Sequence, residues 1–274
     1  MSGAALSRVG RDGHLRLAFE RRGPRTVLTR SGFTLPLQVL APLALDDPAA
    51  IVSVLNPTGS LLGGDRLVVE VEVGRQAHAC LITPSATKVH RAEGEPAVQD
   101  VRLRVGAGAF LEWIPDHTIP FAGADFRQSI EVQLGEGAAL VLVDAFSAGR
   151  VARGERWRFA RLESALRIRD TLGWVLIDRF VLSPEHAWDG LGGTEGAPYF
   201  ATIAIVGELD PGDLSRRLSG SGGSSLAVGT LPGRGALVRC LASDAPALGQ
   251  AIQLTWDAAR QGLRGWPAPR LRKA

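Results

Sequence analysis

The chain has 274 residues, of which 45% are hydrophobic, and its formal net charge is +3. This length can bury a full core, and the sequence contains no run of the roughly 20 apolar residues that a membrane-spanning helix needs. Basic residues concentrate toward both ends without the interleaved aromatic residues or the recognisable module of nucleic-acid binders, so neither a membrane nor nucleic acid is expected as a partner.

The first residues, 1–11, are polar and basic and lack the apolar stretch of a secretory signal. The two cysteines, Cys80 and Cys240, lie far apart in the sequence. A chain of this kind is expected to be cytoplasmic and to keep two reduced, buried thiols rather than a disulfide.

Strand-like alternation of apolar and polar residues begins at 14–19 and continues, with interruptions, to about residue 206. The clearest case is 67–73, where valines occupy one face and Glu70 and Glu72 the other. A second run, 98–105, alternates in the same way. The sequence therefore predicts a mainly β protein.

Strand–turn–strand units repeat in the middle of the chain. Their glycine-containing turns are 74–77, 106–109 and 135–138, each about 30 residues after the last. A repeat of this period predicts stacked antiparallel hairpins, in which each unit buries its apolar face against the next.

Two helices are predicted near the C-terminal end. The first begins with Asp210 as a cap and Pro211 at the first helical position. The second begins near Asp244 and places Leu248, Ile252 and further apolar residues along one face at helical spacing.

A catalytic interpretation of Ser85 and Lys88 is rejected. Their Ser-x-x-Lys spacing occurs in one class of hydrolases, but Pro84 directly precedes Ser85 and the companion motifs are absent from the sequence. Lys88 is one of two lysines among 31 basic residues. This rarity indicates a place where a compact point charge fits and a planar guanidinium does not.

Five motifs, in a fixed order, cover most of the chain: residues 63–65, 83–91, 111–121, 149–156 and 255–269. The positions that define them are Gly63, Gly64, Asp65, Thr83, Ser85, Thr87, Lys88, Glu112, Trp113, Pro115, Gly149, Arg150, Gly154 and Glu155. Together the motifs resemble the UreD family of urease accessory proteins, called UreH in some organisms. His90 departs from the family pattern, which usually has tyrosine or phenylalanine there.

The resemblance implies a single domain over residues 1–274, built as a β-helix-like stack of sheets with a few helices. It implies a protein that is not an enzyme but a scaffold of urease maturation, binding apo-urease, UreF and the GTPase UreG. It also implies that nickel passes transiently through an internal route and that no cofactor is tightly bound. A β-rich binding module without a nickel role is the alternative.

Histidine and cysteine, which nickel and zinc favour as ligands, are scattered along the chain. The closest pair is His78 and Cys80, which strand alternation places on one face. This pair is either half of a metal site or a core cysteine beside a semi-buried histidine, and the absence of further ligands nearby in sequence favours the second interpretation.

Three aspartates are candidates for weak nickel coordination along the implied passage. Asp65 lies in a Gly-Gly-Asp turn, Asp144 ends the apolar run 140–143, and Asp178 lies within the apolar run 176–180. A carboxylate in apolar sequence costs several kcal/mol unless it is paired or hydrated. Each aspartate therefore either lines a water-filled route or pairs with an arginine, and for Asp178 the sequence leaves both open.

Overall fold

The computed structural model describes residues 11–185, 188–219 and 224–271. Within these ranges the elements follow one another as β1 (Asp12–Arg22), β2 (Arg25–Thr34), β3 (Gln38–Val39), β4 (Ala50–Leu55), β5 (Ser60–Leu61), β6 (Arg66–Val73), β7 (His78–Ile82), β8 (Thr87–Val89), β9 (Ala97–Val105), β10 (Phe110–Ile114), β11 (Thr118–Pro120), β12 (Asp125–Leu134), β13 (Ala139–Ser147), a 3-10 turn (Val151–Arg153), β14 (Arg161–Asp170), β15 (Gly173–Leu182), β16 (Tyr199–Val206), α1 (Pro211–Leu218), β17 (Ser224–Leu231), β18 (Gly235–Ala242) and α2 (Ala245–Arg264).

Two sheets form the body of the protein. In the described part of the chain, the first sheet has the strand order β15-β14-β12-β9-β6-β1-β2, and the second has the order β17-β18-β16-β13-β10-β7-β4-β3. The short strands β5, β8 and β11 pair side by side in a third, narrow face that joins the second sheet where β11 pairs with β13.

Successive coils of the chain stack in parallel. Arg66 of β6 pairs with Val98 of β9, Val98 pairs with Arg127 of β12, and Arg127 pairs with Glu163 of β14. Each circuit therefore returns the chain to the first sheet one strand further on. The predicted fold class is confirmed, because the described part of the chain is mainly β, resembles a β-solenoid and includes two α-helices.

The prediction that the two strands on either side of each repeated turn pair as antiparallel hairpins is wrong. β6 lies in the first sheet, whereas β7, directly after the turn, lies in the second, and β9 and β12 are separated from β10 and β13 in the same way. Each turn therefore crosses between sheets, and each strand finds its partner in the neighbouring coil. The 30-residue period that suggested hairpins is the length of one coil.

The crossing turns stack on one another through their backbones. Gly106 N donates to Val73 O at 2.7 Å, and Gly135 N donates to Val105 O at 2.7 Å. A Cβ at Gly135 would lie 2.7 Å from the backbone nitrogen of Ala107. Glycine is thus required where one turn rests on the next.

The core has two layers because the second sheet is covered on both faces. One layer, which includes Leu15, Phe126 and Leu142, fills the space between the sheets. The other packs the outer face of the second sheet against the helices and includes Ile203 and Trp256. Strand β13 is accordingly buried at every position, which explains its continuous apolar run.

Both helices begin where the sequence predicts. The Asp210 side chain accepts a hydrogen bond from Gly212 N at 2.9 Å, and the Asp244 side chain accepts one from Ala247 N at 2.8 Å. Helix α2 ends at Gly265, which has a φ of 74°. Among the described residues, neither helix has the length and apolar character needed to cross a membrane.

Replacing Gly249 by alanine is expected to raise the free energy of unfolding by about 0.5–1 kcal/mol. Gly249 is exposed in the second turn of α2, and no atom outside the adjacent helix backbone lies within 4 Å of the place that its Cβ would take. Alanine loses less backbone freedom in a helix than glycine does. Urea unfolding followed by circular dichroism measures the change. Gly265→Ala, at positive φ, should instead destabilise the protein, and a loss of stability in Gly249→Ala would contradict the prediction.

Candidate functional site

A small polar cavity of about 80 Å³ lies between the two sheets. Apolar and polar residues share its walls, and the polar ones are Asn56, Thr83, Thr87, Gln99, Asp116, Thr118, Gln128 and Asp144. The volume exceeds the roughly 10–15 Å³ that one water molecule needs, and water is stable where several polar groups can bind it. The interior of the solenoid thus has a place for water or for a small hydrated ion.

A ladder of polar side chains on the first sheet approaches Asp144. Gln99, Gln128 and Ser164 occupy paired positions on β9, β12 and β14. Gln99 Nε2 donates to Gln128 Oε1 at 3.0 Å. Gln128 Nε2 then donates to Asp144 Oδ1, and Ser164 Oγ donates to Asp144 Oδ2, each at 2.8 Å. The parallel stacking of coils brings these residues into line, and it connects both sheets through one carboxyl group.

The carboxyl group of Asp144 titrates close to neutral pH. Burial raises the pKa of Asp144 from 3.8 to about 6, although the hydrogen bonds from Ser164 and Gln128 act to lower it. The charge of Asp178 raises this pKa further and that of Arg239 lowers it. A carboxyl that readily gains a proton is a weak ligand for a cation, which suits reversible rather than permanent binding.

Asp178 is not among the described residues that line the cavity, but its charge acts on Asp144 and it forms a bidentate ion pair. The two Arg239 nitrogens Nη2 and Nη1 lie 2.8 and 2.9 Å from the oxygens of Asp178. Arg239 also donates to the hydroxyl of Thr202, which pairs with Asp144 across β13 and β16. Of the two environments that the sequence left open for Asp178, the arginine pair is present, and it lies beside the cavity carboxylate.

Asp65 lies away from these two residues. It precedes β6, which is four strands from β15 in the first sheet, and it is not among the described residues that line the cavity. Its Oδ2 accepts a hydrogen bond from Leu62 N at 2.8 Å, and its Oδ1 lies 3.6 Å from Arg11 Nε. The contacts of Asp65 thus hold the turn that contains Gly63 and Gly64. The structure brings Asp144 and Asp178 together and places Asp65 elsewhere.

A second buried polar cluster lies on the outer face of the second sheet. Glu112 accepts a hydrogen bond from Trp256 Nε1 at 2.6 Å and lies 2.7 Å from His78 Nε2. Arg260 Nε is 3.3 Å from Glu112, and its terminal nitrogens donate to Asp47 at 2.6 and 2.9 Å. Sequence reasoning gave Glu112 as a motif position and Trp256 as part of the last motif and of the apolar face of the second helix. It missed Arg260 and Asp47 as their partners, although Glu112 lies in an apolar run just as Asp144 does.

His78 and Cys80 are packed within this cluster. The His78 ring stacks on Phe110 and Trp266, with ring centroids 4.5 and 5.8 Å apart. Burial, together with the charge of Glu112, raises the pKa of the Cys80 thiol well above its usual value. Because the thiolate is the metal ligand, a thiol held protonated binds metal poorly. Among the described residues, no three His, Cys, Asp or Glu side chains are grouped so that they could hold a metal ion.

The motif residues divide mainly between the cavity and the narrow third face. Those that line the cavity are Thr83, Thr87, Trp113 and Pro115. Those that line a pocket on the narrow face are Lys88, Gly149 and Arg150. Thr83 Oγ also accepts a hydrogen bond from Asp116 N at 2.8 Å, which ties two successive coils together.

The remaining motif residues shape the connections around these two places. Arg150 binds both carboxylate oxygens of Glu155. Gly149 has a φ of 135°, and a Cβ there would lie 2.8 Å from Glu155 O, so only glycine fits. Gly154 ends the 3-10 turn with a φ of 73°. Ser85 is exposed and accepts or donates no hydrogen bond among the described residues.

Sequence comparison relates the chain to one group of proteins. The family model described as "UreD urease accessory protein" matches residues 11–274. A protein named Urease accessory protein UreD from Deinococcus radiodurans is 34% identical over 263 residues, which cover 95% of this chain and 94% of that protein. A protein of the same name from Haloarcula marismortui is 34% identical over 278 residues, covering 98% of this chain and 93% of that protein.

Proposed function

Because the chain belongs to the UreD family of urease accessory proteins, we propose that it acts in urease maturation as a non-catalytic scaffold that passes nickel through its interior. In this proposal the ion is cargo, held only transiently, and travels between the two sheets past Asp144 toward apo-urease in the cytoplasm. Asp178 and its partner Arg239 stand at the outer end of the route.

The observation that supports this proposal is the buried carboxyl of Asp144 in a polar cavity. A carboxylate buried at this depth is costly, and a packed apolar core would have no need of it. Carboxylate and amide oxygens bind a hydrated divalent ion more weakly than imidazole or thiolate binds nickel. With a pKa of about 6, Asp144 is ionised often enough to attract a cation and protonated often enough to release it.

The ion pair between Asp178 and Arg239 supplies the second element of the route. Both Arg239 nitrogens are bound to the carboxylate of Asp178, so in this proposal an ion that binds Asp178 displaces the guanidinium. The Arg239 side chain is 48% exposed and that of Asp178 is 20% exposed, so water can solvate the guanidinium when the pair separates. It can therefore open without unfolding of the surrounding strands.

Further parts of the proposal concern the partners. We propose that UreF and UreG join the chain and apo-urease in one complex and that nucleotide hydrolysis is the task of UreG. The sequence supports this division of labour, because it contains no G-x-x-x-x-G-K-[ST] phosphate-binding loop.

Replacing Asp144 by asparagine tests the nickel route. Asparagine keeps the size of the side chain and an acceptor for Gln128 but removes the negative charge. We expect urease activity and urease nickel content in cells to fall about tenfold, which corresponds to about 1.4 kcal/mol in the barrier to transfer. We also expect Asp178→Asn to lower both quantities, and pull-down of UreF and apo-urease to remain unchanged in both variants.

Glu131→Gln is the matched control, because Glu131 is exposed on the outer side of β12, the strand that carries Gln128. Loss of activation together with loss of the complex would make Asp144 a structural residue. Full urease activity in both aspartate variants would exclude the route and favour the alternative, a β-rich binding module without a nickel role.

A further inference from the structure

The narrow third face of the solenoid carries a pocket of about 490 Å³. We call it the basic pocket and define it by Lys88, His90, Phe121, Arg150, Arg153 and Tyr199, which line it. Lys88 comes from β8, and Arg153 comes from the 3-10 turn that follows β13. Two distant parts of the chain thus place their cations around one depression.

The charge of the basic pocket is not balanced. Lys88 and Arg153 are both exposed, and neither makes an ion pair with any residue that the structure describes. No aspartate or glutamate is among the described residues that line the pocket. Like charges gathered around one depression raise the local potential and attract an anionic partner.

The floor of the basic pocket is aromatic and fixed in place. The guanidinium of Arg150 lies 4.4 Å from the centroid of the Phe121 ring, and His90 packs against Phe121 with centroids 4.7 Å apart. Glu155 holds Arg150 from behind through both of its carboxylate oxygens. A surface that is already ordered loses little side-chain entropy when a partner binds.

The arrangement of hydrogen-bond donors in the basic pocket favours carboxylates over phosphate. A phosphate is usually held by free guanidinium forks or by converging backbone N–H groups. In the basic pocket the fork of Arg150 is occupied by Glu155, which leaves Lys88 and Arg153 as separate single charges. Two separate charges flanking an aromatic floor suit an extended chain with carboxylates beside an apolar side chain.

We propose that the basic pocket docks an acidic segment of a partner protein. Carboxylates of the segment pair with Lys88 and Arg153, and an apolar side chain of the segment packs on Phe121 and Tyr199. The inference rests on the proposed scaffold role, because a scaffold must hold its partners, and it assigns one docking site to a defined surface. It also gives a function to Lys88, the one lysine outside the C-terminal tail.

The test is binding of a fluorescein-labelled Glu-Glu-Phe-Glu-Glu peptide to the full chain, followed by fluorescence anisotropy. We expect saturable binding that weakens with added salt. Lys88→Glu and Arg153→Glu should each raise the Kd about tenfold, because each change removes an attraction to the peptide and replaces it with a repulsion. Both residues are exposed, so circular dichroism should show both variants folded.

Arg169→Glu is the matched control, because Arg169 is exposed on β14 and its replacement changes the net charge equally. An equal loss of binding in Arg169→Glu would overturn the proposal in favour of general charge attraction. Absence of peptide binding to the unaltered chain would also overturn it. Displacement of the peptide by millimolar inorganic phosphate would identify the pocket as a phosphate site instead.

Two further measurements distinguish the docking of an acidic segment from self-association of the chain and from the proposed nickel route. A concentration-dependent dimer in sedimentation velocity that Lys88→Glu abolishes would show that a second copy of the chain is the occupant, against the proposal. Failure of peptide binding while Asp144→Asn still lowers urease activation would overturn the docking site and leave the nickel route standing. Normal peptide binding together with full urease activation in Asp144→Asn would support the docking site and contradict the nickel route.

Discussion

Replacing Arg260 by leucine is expected to lower the free energy of unfolding by about 3–5 kcal/mol, the cost of removing one partner of a buried ion pair. The Arg260 side chain is fully buried and lies between the carboxylates of Glu112 and Asp47. Without it, the buried Glu112 would lose its arginine and keep, among the described residues, its contacts with His78 and Trp256. Urea unfolding followed by circular dichroism measures the loss.

The control for this prediction lies one helical turn away. Arg264 sits over the Phe110 ring at 5.4 Å and has no ion pair among the described residues. Arg264→Leu should therefore cost less than about 1 kcal/mol. Arg260→Lys should fall between the two, because lysine keeps the charge but lacks the planar fork that reaches Asp47 twice. A small loss in Arg260→Leu would mean that packing alone holds α2 to the sheet.

The advantage of asparagine over aspartate at position 144 is expected to grow by about 2 kcal/mol as the pH rises from about 4 to about 7. The pKa of Asp144 is about 6 in the folded protein, above its usual 3.8. Between these values the folded chain holds a proton that the unfolded chain has lost. The contribution of Asp144 to the free energy of unfolding therefore falls as the pH rises through this window, and it is constant above it.

Comparison of Asp144→Asn with the unaltered protein isolates this effect. Other carboxylates, such as Glu70 and Glu163, have pKa values lowered by neighbouring arginines and change stability in the opposite direction, but they do so in both proteins. Urea unfolding at a series of pH values gives the difference. A constant difference between Asp144→Asn and the unaltered protein would mean that Asp144 is ionised at its ordinary pKa.

The repeat was predictable because its causes are local. Glycine is needed at each crossing turn, and the strands before the turns alternate regularly, so the period can be seen in the sequence. The choice between hairpin and coil depends on which sheet receives the second strand, and that contact is not local. One signal was present, because β12 alternates whereas β13 is apolar at nearly every position. Strands of one hairpin would share the same environment.

The candidate site was predictable only in part for a similar reason. Asp144 and Asp178 stand out because each carboxylate interrupts an apolar run. Asp65 was a candidate because of its Gly-Gly-Asp turn, but its contacts are with that turn and with Arg11. The groups that define the chemistry of Asp144 and Asp178 come from other coils, since Gln128 is 16 residues from Asp144 and Arg239 is 61 residues from Asp178.

The contacts of Arg260 and Trp256 in α2 with Asp47 and Glu112 have a consequence for synthesis on the ribosome. Each coil can pair with the previous one as soon as it emerges, but Arg260 follows Asp47 by 213 residues, and Trp256 follows Glu112 by 144. Until α2 emerges, the growing chain exposes the apolar outer face of the second sheet. The carboxyl groups of Asp47 and Glu112 then also lack their partner Arg260. A chain released before residue 245 would keep this adhesive face uncovered, which makes it a target for aggregation and for chaperones. Formation of α2 is therefore the step that covers this apolar face and protects the newly made protein from aggregation.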